Sequence, residues 1–541
     1  MPPQKRELTA QSLLIYEKAL AAYERRDMDA AVRHLREMQA LAGGQSLRSL
    51  LLEAYIARDG GRPLTEIRTL QRAVELYEHD EKAPPRLLAT AWSLLGAALS
   101  GLGESTFASE AFRKAARLEP ETRQKLVELS NAIFTANASD DLTPADMQAM
   151  YAEYRASLGT IAPSPRRWHR HDRLRVGYIS GDLRLHPVAY FLYALLRYFD
   201  RNKFQVYCYA VNQEDDLLTE RLKHLPISWR SLQTKDWEQA AAAVREDEID
   251  ILVDLSGHTA GNCLPVLAYQ PAAVQLSGIG YMNSTGLANV DGFLSDVYCA
   301  PRVTDPFFTE PLLRLPRTHL CYTRPHAFPD IVDKPPCQRG RYATFGCFNN
   351  FAKVTERMLA LWQKILDRSP TARLLLKHKI FDSAEGREYA DARLRQARID
   401  RGRVEYRGFS SGYLAEYNDV DVALDTAPYT GGLTTCEALY MGVPVVSLTG
   451  HRHGARFGYS ILHNVGMSDL AAATPEDYVE TAVALAASPE TLAGLRRFLR
   501  PMMARSPLMD GRRYAQDVEN LYDKVYADCW KRAGEGNFER P

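Results

Sequence analysis

A regular alternation of short β-rich runs with helical stretches, which begins at Arg173, places the strongest constraint on the fold. A first series of runs covers residues 174–180, 204–210, 249–255 and 274–278. After an irregular, proline-rich linker at 316–341, a second series covers residues 343–348, 373–377, 404–407, 420–424 and 443–448. Strands that alternate with helices form parallel sheets with crossover connections. The sequence therefore predicts two doubly wound, Rossmann-like α/β domains, with a cleft between the carboxyl ends of their sheets.

The chain before this region has a different texture. Residues 1 to about 160 are rich in Ala, Leu, Glu and Arg, and their apolar residues recur at helical spacing. Between residues 89 and 122 a set of positions matches the 34-residue tetratricopeptide pattern, namely Trp92, Leu95, Gly96, Leu99, Ala108, Phe112, Ala115 and Pro120. Looser copies lie at 15–38 and 50–77. These spacings predict an all-α domain of tetratricopeptide-like hairpins, and a generic helical bundle is the alternative interpretation.

Four segments follow from these patterns. We predict a helical tetratricopeptide-like domain at 1–165 and an N-terminal Rossmann-like domain at 172–325. A C-terminal Rossmann-like domain is expected at 340–500, followed by a terminal helix at 501–535. That helix carries an apolar stripe formed by Tyr514, Val518, Leu521, Tyr522, Val525 and Cys529.

Composition narrows the class of protein. The 67 basic and 67 acidic residues balance, which argues against nucleic acid as the main partner. The eight cysteines show no CxxC or Cys/His ligand spacing, so we expect neither a zinc site nor a disulfide framework. The first residues lack the apolar core of a signal peptide, and no run of about 18 apolar residues could span a bilayer. These features predict a soluble, cytoplasmic protein.

The segment from Asp425 to Pro444 has the features of an anion site. An apolar run leads into a turn with Gly431 and Gly432, where glycine tolerates positive φ, and then into a new helix. Its free N–H groups and the helix dipole would face one point, where a diphosphate could sit. We expect Thr434 and Thr435 to cap the helix. The alternative is a simple capping box between Thr434 and Glu437, without any ligand.

Three further loops at predicted strand ends carry chemically useful residues. His186 precedes Pro187, which suits the first position of a helix, so the imidazole would stand at a helix mouth facing the cleft. Tyr281 lies in a glycine-rich turn at 278–286, which could approach a ligand closely. Lys353 follows the first strand of the second series and could neutralise a leaving phosphate. Taken singly, a histidine is more often a packed or surface residue, and a lysine is usually only solvated.

Motifs of other nucleotide-binding proteins are missing. There is no GxxxxGK[ST] phosphate loop, and no GxGxxG follows a strand, so a dinucleotide cofactor is not expected. Asp419 and Asp421 form a DxD sequence, which holds a divalent metal in some sugar-nucleotide enzymes. We interpret it as incidental, because it falls inside a predicted strand and hard cations need exposed oxygen ligands. No metal is therefore expected at the site.

Several of these motifs occur together and in a characteristic order. They are the segments HPVAY, GYMNSTG and TGGLTTCEALYMGVP, together with Lys353, PFFTEPLLRLP and SPLMDGRRYAQDVENLY. In this order the chain resembles the O-GlcNAc transferase family, with its bacterial relatives and the N-glucosyltransferases, from about Arg173 to Trp530. The resemblance implies a helical N-terminal region followed by a GT-B catalytic unit of two Rossmann-like domains. It implies that the C-terminal domain binds the nucleotide sugar.

The resemblance also assigns roles to particular residues. Lys353 would contact the nucleotide diphosphate with Asn350 beside it, and Glu437 would hold the ribose hydroxyls. His186 would lie near the sugar and the acceptor. The remaining donor-binding residues would be Gly431, Gly432, Thr434, Thr435 and Tyr281.

Three segments depart from the family pattern. Gly432 replaces a histidine that many relatives carry in the turn. Ser410, Ser411 and Tyr413 lie in the segment where relatives often have lysine and histidine, and GYMN replaces a more usual GYPG. These departures affect the expected contacts to the base, the phosphates and the donor sugar.

The resemblance implies inverting, metal-independent transfer of a sugar, GlcNAc in first place, from a UDP-sugar to Ser or Thr of a protein. No cofactor beyond the UDP-sugar substrate is expected, and the acceptor polypeptide would bind along the helical repeats. One alternative is UDP-glucose-dependent transfer to Asn of a protein. A second is an interaction scaffold of tetratricopeptide repeats with weak catalysis. The linkage, the donor sugar, the acceptor and the oligomeric state stay open.

Overall fold

The computed structural model describes residues 9–42, 45–159, 161–212, 214–324, 327–340 and 342–534. Its first part contains eight helices: α1 (Ala10–Glu24), α2 (Met28–Ala42), α3 (Leu47–Asp59), α4 (Pro63–Tyr77), α5 (Pro85–Leu102), α6 (Ser105–Leu118), α7 (Thr122–Ala136) and α8 (Pro144–Ser157). Consecutive helices pack as hairpins joined by short turns. The helical-repeat prediction for this region is confirmed, and its best-matched repeat is the hairpin of α5 and α6.

The hairpin of α5 and α6 depends on a small residue at position 96. A Cβ atom at Gly96 would lie 2.9 Å from the ring of Phe112 on the facing helix. Gly101 lies five residues further along α5, and a Cβ atom there would have no other described group within 4 Å outside its own helix backbone and chain neighbours. Substitutions at these two glycines therefore distinguish the effect of packing from the effect of helix propensity.

We expect Gly96→Ala and Gly101→Ala to change stability in opposite directions. Overpacking against Phe112 should lower the free energy of unfolding by about 1–2 kcal/mol. At Gly101 alanine should raise it by about 0.5–1 kcal/mol, because only the helix propensity changes. Urea unfolding of the full chain, followed by circular dichroism, measures both. Equal effects at the two positions would contradict the packing argument.

The first sheet has seven parallel strands in the order β3-β2-β1-β4-β5-β6-β7. The strands are β1 (Leu174–Ser180), β2 (Phe204–Ala210), β3 (Ser228–Ser231), β4 (Ile251–Asp254), β5 (Val274–Gly278), β6 (Gly292–Asp296) and β7 (Leu312–Leu315). Helices α9 (Pro187–Tyr198), α10 (Leu217–Lys223), α11 (Trp237–Glu246) and α12 (Leu264–Ala268) connect them. Four strands were predicted. β3, β6 and β7 were missed because they are short and include polar residues or glycine.

The second sheet has six parallel strands in the order β10-β9-β8-β11-β12-β13. They are β8 (Thr344–Cys347), β9 (Arg373–Lys377), β10 (Val404–Arg407), β11 (Val422–Leu424), β12 (Val445–Leu448) and β13 (Ala471–Ala472). The helices are α13 (Pro336–Arg339), α14 (Glu356–Arg368), α15 (Ala384–Gln396), α16 (Tyr413–Glu416), α17 (Leu433–Tyr440), α18 (Phe457–Val465), α19 (Pro475–Ala486) and α20 (Pro489–Ala504). The doubly wound α/β prediction is therefore confirmed for both sheets, although it missed β13.

The DxD sequence lies before strand β11 and not within it, so this part of the prediction was wrong. Asp419 ends a 3-10 turn and forms an ion pair with Arg407. Asp421 is buried, and its carboxylate accepts hydrogen bonds from the backbone N–H groups of Cys337 and Thr344. Both aspartates thus have structural partners within the protein.

The terminal helix α21 (Gly511–Arg532) returns to the first Rossmann-like domain and packs on α9. Most of the predicted apolar stripe is buried, and Leu521 is half-buried. Tyr522 places its hydroxyl 3.2 Å from that of Tyr178 on β1, and Tyr526 donates to the buried carboxylate of Asp250. No helix in the described ranges is long and apolar enough to cross a membrane.

The helical region contacts both Rossmann-like domains. Thr65 on α4 donates to the carboxylate of Glu385 on α15, through its backbone N–H and its hydroxyl. A Cβ atom on Gly103, at the end of α5, would lie 2.7 Å from the carbonyl oxygen of Ala352. On the other side, Asn137 at the end of α7 donates to the hydroxyl of Tyr281. The helical hairpins therefore reach the edge of the cleft on both sides.

Candidate active site

The carboxyl ends of β8 and β11 are joined by a buried polar network. Asn349 follows β8 and donates from Nδ2 to Oδ1 of Asp425, at 2.9 Å, and to the hydroxyl of Thr426, at 3.0 Å. Thr434, in the first turn of α17, donates its hydroxyl to Oδ1 of Asn349. Asp425 also accepts 2.7 Å hydrogen bonds from the N–H of Gly431 and the hydroxyl of Ser447. The network fixes the start of α17 against the sheet.

The sequence pointed to the neighbouring Asn350, whereas Asn349 and Asp425 were not predicted as site residues. Asn350 is exposed, and its side chain accepts from the N–H of Ala352 in its own turn. Asn349 is buried and points into the network. The signal that could have identified the pair is position, since both residues closely follow adjacent strands and parallel strands end at one edge.

The turn before α17 differs from the prediction in its local geometry. Neither Gly431 nor Gly432 has a positive φ, and Gly432, with φ −108°, is the residue that precedes the helix. No side chain caps this helix. The predicted caps from Thr434 and Thr435, and the capping box with Glu437, were therefore wrong. The hydroxyl of Thr434 is engaged by Asn349, and Glu437 accepts a hydrogen bond from Tyr413. The start of α17 thus keeps N–H groups that no side-chain cap occupies.

Glycine is required at position 431 for a steric reason. A Cβ atom there would lie 2.5 Å from the hydroxyl of Thr434 and 2.6 Å from that of Thr435. At Gly432, among the described residues other than its chain neighbours, one heavy atom lies within 4 Å of such a Cβ, on the ring of Phe457 at 3.9 Å. The second glycine therefore has room for a side chain.

We expect Gly431→Ala to weaken nucleotide binding about tenfold and Gly432→Ala to leave it within about twofold. The first change pushes the two threonine hydroxyls and the helix start apart, whereas the second meets open space. A displacement of this kind costs about 1–3 kcal/mol. Titration calorimetry with UDP measures both affinities. A larger loss for Gly432→Ala than for Gly431→Ala would refute the steric argument.

Lys353 lies in a 3-10 turn directly after the β8 loop. Its Nζ is 3.4 Å from the centre of the Tyr429 ring and 3.4 Å from the carbonyl oxygen of Thr430, to which it donates. Burial lowers the pKa of this ammonium to about 8, against the opposing effect of Asp425. The sequence analysis did not identify Tyr429, whose ring holds the cation beside the turn through a cation–π contact.

Glu437 is buried on the second turn of α17, with an exposed fraction of 2%. Burial raises the pKa of its carboxyl to about 7, although a 2.6 Å hydrogen bond from the Tyr413 hydroxyl opposes that rise. Tyr190 on α9 has a pKa raised by its burial and by the negative charge of Glu437. The first domain therefore approaches Glu437 across the cleft through α9.

His186 is the residue before α9, and Pro187 occupies the first helical position as predicted. Its Nδ1 lies 3.6 Å from Oδ2 of Asp182 and 3.4 Å from the backbone nitrogen of Val188. Burial and the neighbouring Arg184 lower the pKa of the ring despite Asp182. The imidazole is about one-third exposed at the mouth of α9, one helical turn from Tyr190.

The turn around Tyr281 was expected to approach a ligand closely. Tyr281 itself, however, is not open to a ligand. The side chain is buried, and its hydroxyl accepts a 3.1 Å hydrogen bond from Asn137. The glycines of this turn are required by protein contacts, because a Cβ on Gly280 would collide with the carbonyl of Leu255 and one on Gly286 with the ring of Tyr151. Tyr281 forms part of the wall behind Tyr429.

Two Rossmann-like domains with a helix start and a lysine at the carboxyl edge of the second sheet define a glycosyltransferase of the GT-B class. The chain belongs to glycosyl transferase family 41, whose family model matches residues 162–341 and 340–518.

Similar proteins agree with this family. The structure is similar to that of a mutant O-GlcNAc transferase from Thermobaculum terrenum, with a TM-score of 0.82 and 30% identity over 97% of this chain and 99% of that one. The chain is 38% identical to the probable UDP-N-acetylglucosamine–peptide N-acetylglucosaminyltransferase SPINDLY of Arabidopsis thaliana, over 67% of this chain and 40% of that protein. It is 27% identical to the probable enzyme SEC of the same plant, over 65% and 37%. The chain thus spans about two fifths of the length of these curated relatives.

Proposed function

We propose that this protein transfers a sugar, GlcNAc in first place, from a UDP-sugar to Ser or Thr hydroxyl groups of a polypeptide. The observation that carries the proposal is the uncapped start of α17, with the ammonium of Lys353 beside it. The names of the similar proteins specify UDP-N-acetylglucosamine and a peptide acceptor. Glu437 would accept hydrogen bonds from the ribose hydroxyls, one helical turn beyond the phosphate position.

The transfer would need no metal ion. Backbone N–H groups at the helix start and the charge of Lys353 would stabilise the negative charge that develops on the departing UDP. The network of Asn349 and Asp425 would hold these groups in place before the reaction, so that little reorganisation is needed in the transition state. The acceptor hydroxyl would attack the anomeric carbon from the opposite side, which inverts its configuration.

His186 would act on the acceptor side of the cleft. Its lowered pKa favours the neutral ring. A proton on Nδ1, directed towards Asp182, leaves Nε2 free to act as a base. A proton on Nε2, with Nδ1 accepting from Val188, makes the ring a hydrogen-bond donor to the sugar. With either tautomer the ring would act on the acceptor side of the cleft.

The helical hairpins would bind the acceptor polypeptide. Helix α5 ends against Ala352, the neighbour of Lys353, and α7 ends against Tyr281. A polypeptide lying along the hairpins would therefore be led into the cleft. We also propose a cytoplasmic location, which is supported by the free state of all eight cysteines.

Mass spectrometry after incubation with a mixture of proteins tests the proposed function directly. The full chain is incubated with UDP-GlcNAc, UDP-glucose or a GDP-sugar in separate reactions, each with and without EDTA. We expect the mass of N-acetylhexosamine on Ser or Thr with UDP-GlcNAc. Modification of Asn with UDP-glucose would replace the proposal with N-glucosyl transfer, and a product only with the GDP-sugar would overturn the donor. An absence of any product would favour a scaffold without catalysis.

A further inference from the structure

A second cluster of reactive side chains lies at the contact between the two Rossmann-like domains. Cys299 follows β6 and His319 follows β7 in the first domain, and His453 follows β12 in the second. All three residues are buried, with exposed fractions of at most 1%. One potential ligand atom from each lies within 4.8 Å of the other two. The cluster thus brings together a thiol and two imidazoles from both sides of the interface.

Each imidazole is oriented by a hydrogen bond through one ring nitrogen. Nδ1 of His319 lies 2.5 Å from Oδ2 of Asp296, and Nε2 of His453 lies 2.8 Å from the hydroxyl of Ser295. Such partners are typical of metal-binding histidines, because they fix the ring and leave the other nitrogen for the metal. These hydrogen bonds leave Nε2 of His319 and Nδ1 of His453 as the possible metal ligands.

Nδ1 of His453 is a buried nitrogen without a hydrogen-bond partner in the part of the chain that the structure describes. Burial lowers the pKa of the ring, and the backbone of Met282 opposes this only through a weak interaction, which a metal at this nitrogen would displace. A buried polar atom without a partner costs about 1–3 kcal/mol. A ligand between the two domains would remove that cost.

We propose that Cys299, His319 and His453 bind a zinc ion, which fastens the two Rossmann-like domains together. One thiolate and two neutral imidazoles are ligands that Zn²⁺ accepts, with a fourth position left for water. The thiol, which donates to the carbonyl of Arg456 at 3.2 Å, would lose its proton to solvent when the metal binds. The Cys299 thiolate and the carboxylate of Asp296 would offset the charge of Zn²⁺, with the guanidinium of Arg456 close by.

The ligand atoms must approach each other for this site to close. Zinc lies about 2.0–2.3 Å from nitrogen and sulfur ligands, so tetrahedral ligands are roughly 3.5 Å apart. A separation of up to 4.8 Å requires movements of about 1 Å, which side-chain rotation or closure of the cleft would supply. The ion would hold the two domains together without contacting the sugar donor, and a water in its fourth position would distinguish it from closed sites with four protein ligands.

The proposed ion would also stabilise the turn at Gly431, where the diphosphate is proposed to bind. Gly454, which follows His453, accepts hydrogen bonds from the N–H and the hydroxyl of Thr430 at 3.1 and 3.0 Å. Phe457 packs on both His319 and His453. Fixing His453 therefore fixes the backbone on which the turn at Gly431 rests.

Metal analysis of the full chain tests this proposal independently of activity. We expect one equivalent of zinc by plasma mass spectrometry after desalting, and a thiolate-to-cobalt charge-transfer band after metal removal and addition of Co²⁺. The band is specific, because the surface group of His169, His171 and Glu248 has no thiol. A wild-type protein that binds no zinc, or binds Co²⁺ without this band, would overturn the proposal.

Cys299→Ser is the matched variant, because serine keeps a donor for the Arg456 carbonyl but removes the thiolate. Zinc should also raise the melting temperature of the wild type. We expect Cys299→Ser to lose the zinc equivalent, the cobalt band and this rise in melting temperature, and His453→Gln to do the same. Cys337→Ser, at a half-buried cysteine outside the cluster, should keep all three. Retention of the cobalt band in Cys299→Ser would refute the assignment. Should the variants fail to fold, the wild-type spectrum alone decides.

Discussion

Replacing Lys353 with alanine should lower kcat about 10²–10³-fold, on the scale of a lost oxyanion donor. The ammonium is held between the Tyr429 ring and the carbonyl of Thr430, next to the start of α17, and carries the positive side-chain charge at this point of the site. Its interaction with the departing diphosphate is stronger in the transition state than in the bound substrate, so kcat falls along with kcat/KM. Steady-state measurement of UDP release over a range of donor concentrations separates the two parameters.

Lys379→Ala is the control for this prediction, because Lys379 is exposed in the turn after the adjacent strand β9. Its turnover should stay within about twofold of the wild type. The wild-type donor KM should also rise above pH 8, since the pKa of Lys353 is about 8 in the free protein and the neutral amine cannot attract phosphate. Near-full turnover of Lys353→Ala would remove this residue from the mechanism.

Tyr429 provides a finer test of how the lysine is positioned. The ring face attracts the ammonium electrostatically, by about 0.5–2 kcal/mol. Phenylalanine at this position keeps the face, whereas leucine removes it but retains an apolar contact. The rise in donor KM above pH 8 should therefore occur at the same pH in Tyr429→Phe as in the wild type. In Tyr429→Leu it should occur at a different pH. Identical profiles for both variants would show that the cation–π contact does not act on Lys353.

The sequence predicted the elements whose signal is local. Strands β1, β2 and β5 were located to the residue, because each is an apolar run with clear ends. Strand β3, with the sequence Ser-Trp-Arg-Ser, lies at the sheet edge and is partly exposed, so it lacks the apolar pattern. Strand β6 begins with glycine and ends with serine and aspartate. Their positions follow from pairing with neighbours, which no local pattern records.

The residues of the candidate site likewise fall into those with a local sequence signal and those that depend on the fold. Lys353, Glu437 and the turn at Gly431 were identified because they lie within recognisable motifs after predicted strands. The hydrogen bond between Asn349 and Asp425 joins residues that are 76 positions apart, so its existence depends on the order of strands in the sheet. The expectation of no zinc site rested on short spacings between cysteines and histidines, which carry no information about residues that come together only in the fold.

Replacing Glu437 with glutamine should stabilise the protein at pH 8 and weaken its binding of UDP. The carboxyl is buried with Tyr413 as its hydrogen-bond donor, so its negative charge is poorly compensated. Its pKa rises from 4.5 to about 7, which corresponds to about 3 kcal/mol of unfavourable free energy above pH 7. Glutamine keeps the shape without the charge. The ribose hydroxyls would lose a charged acceptor, which is worth about 1.5–3 kcal/mol.

The pH dependence gives this prediction its sign. The folded chain holds the Glu437 proton more tightly than the unfolded chain, so the wild type loses stability as pH rises from 4.5 to about 7 and little thereafter. The gain from Glu437→Gln should accordingly be small at pH 5 and full at pH 8, in urea unfolding. The exposed Glu388 provides the control, and Glu388→Gln should change stability by less than about 0.5 kcal/mol at either pH. Tyr413→Phe removes the hydrogen bond that lowers the pKa of Glu437. The pH range over which the folded protein loses stability through Glu437 should therefore move to higher pH. A loss of stability in Glu437→Gln at pH 8 would show that the carboxylate stabilises the folded protein. It would contradict the view that the carboxylate is an unfavourable buried charge that serves to bind the ribose.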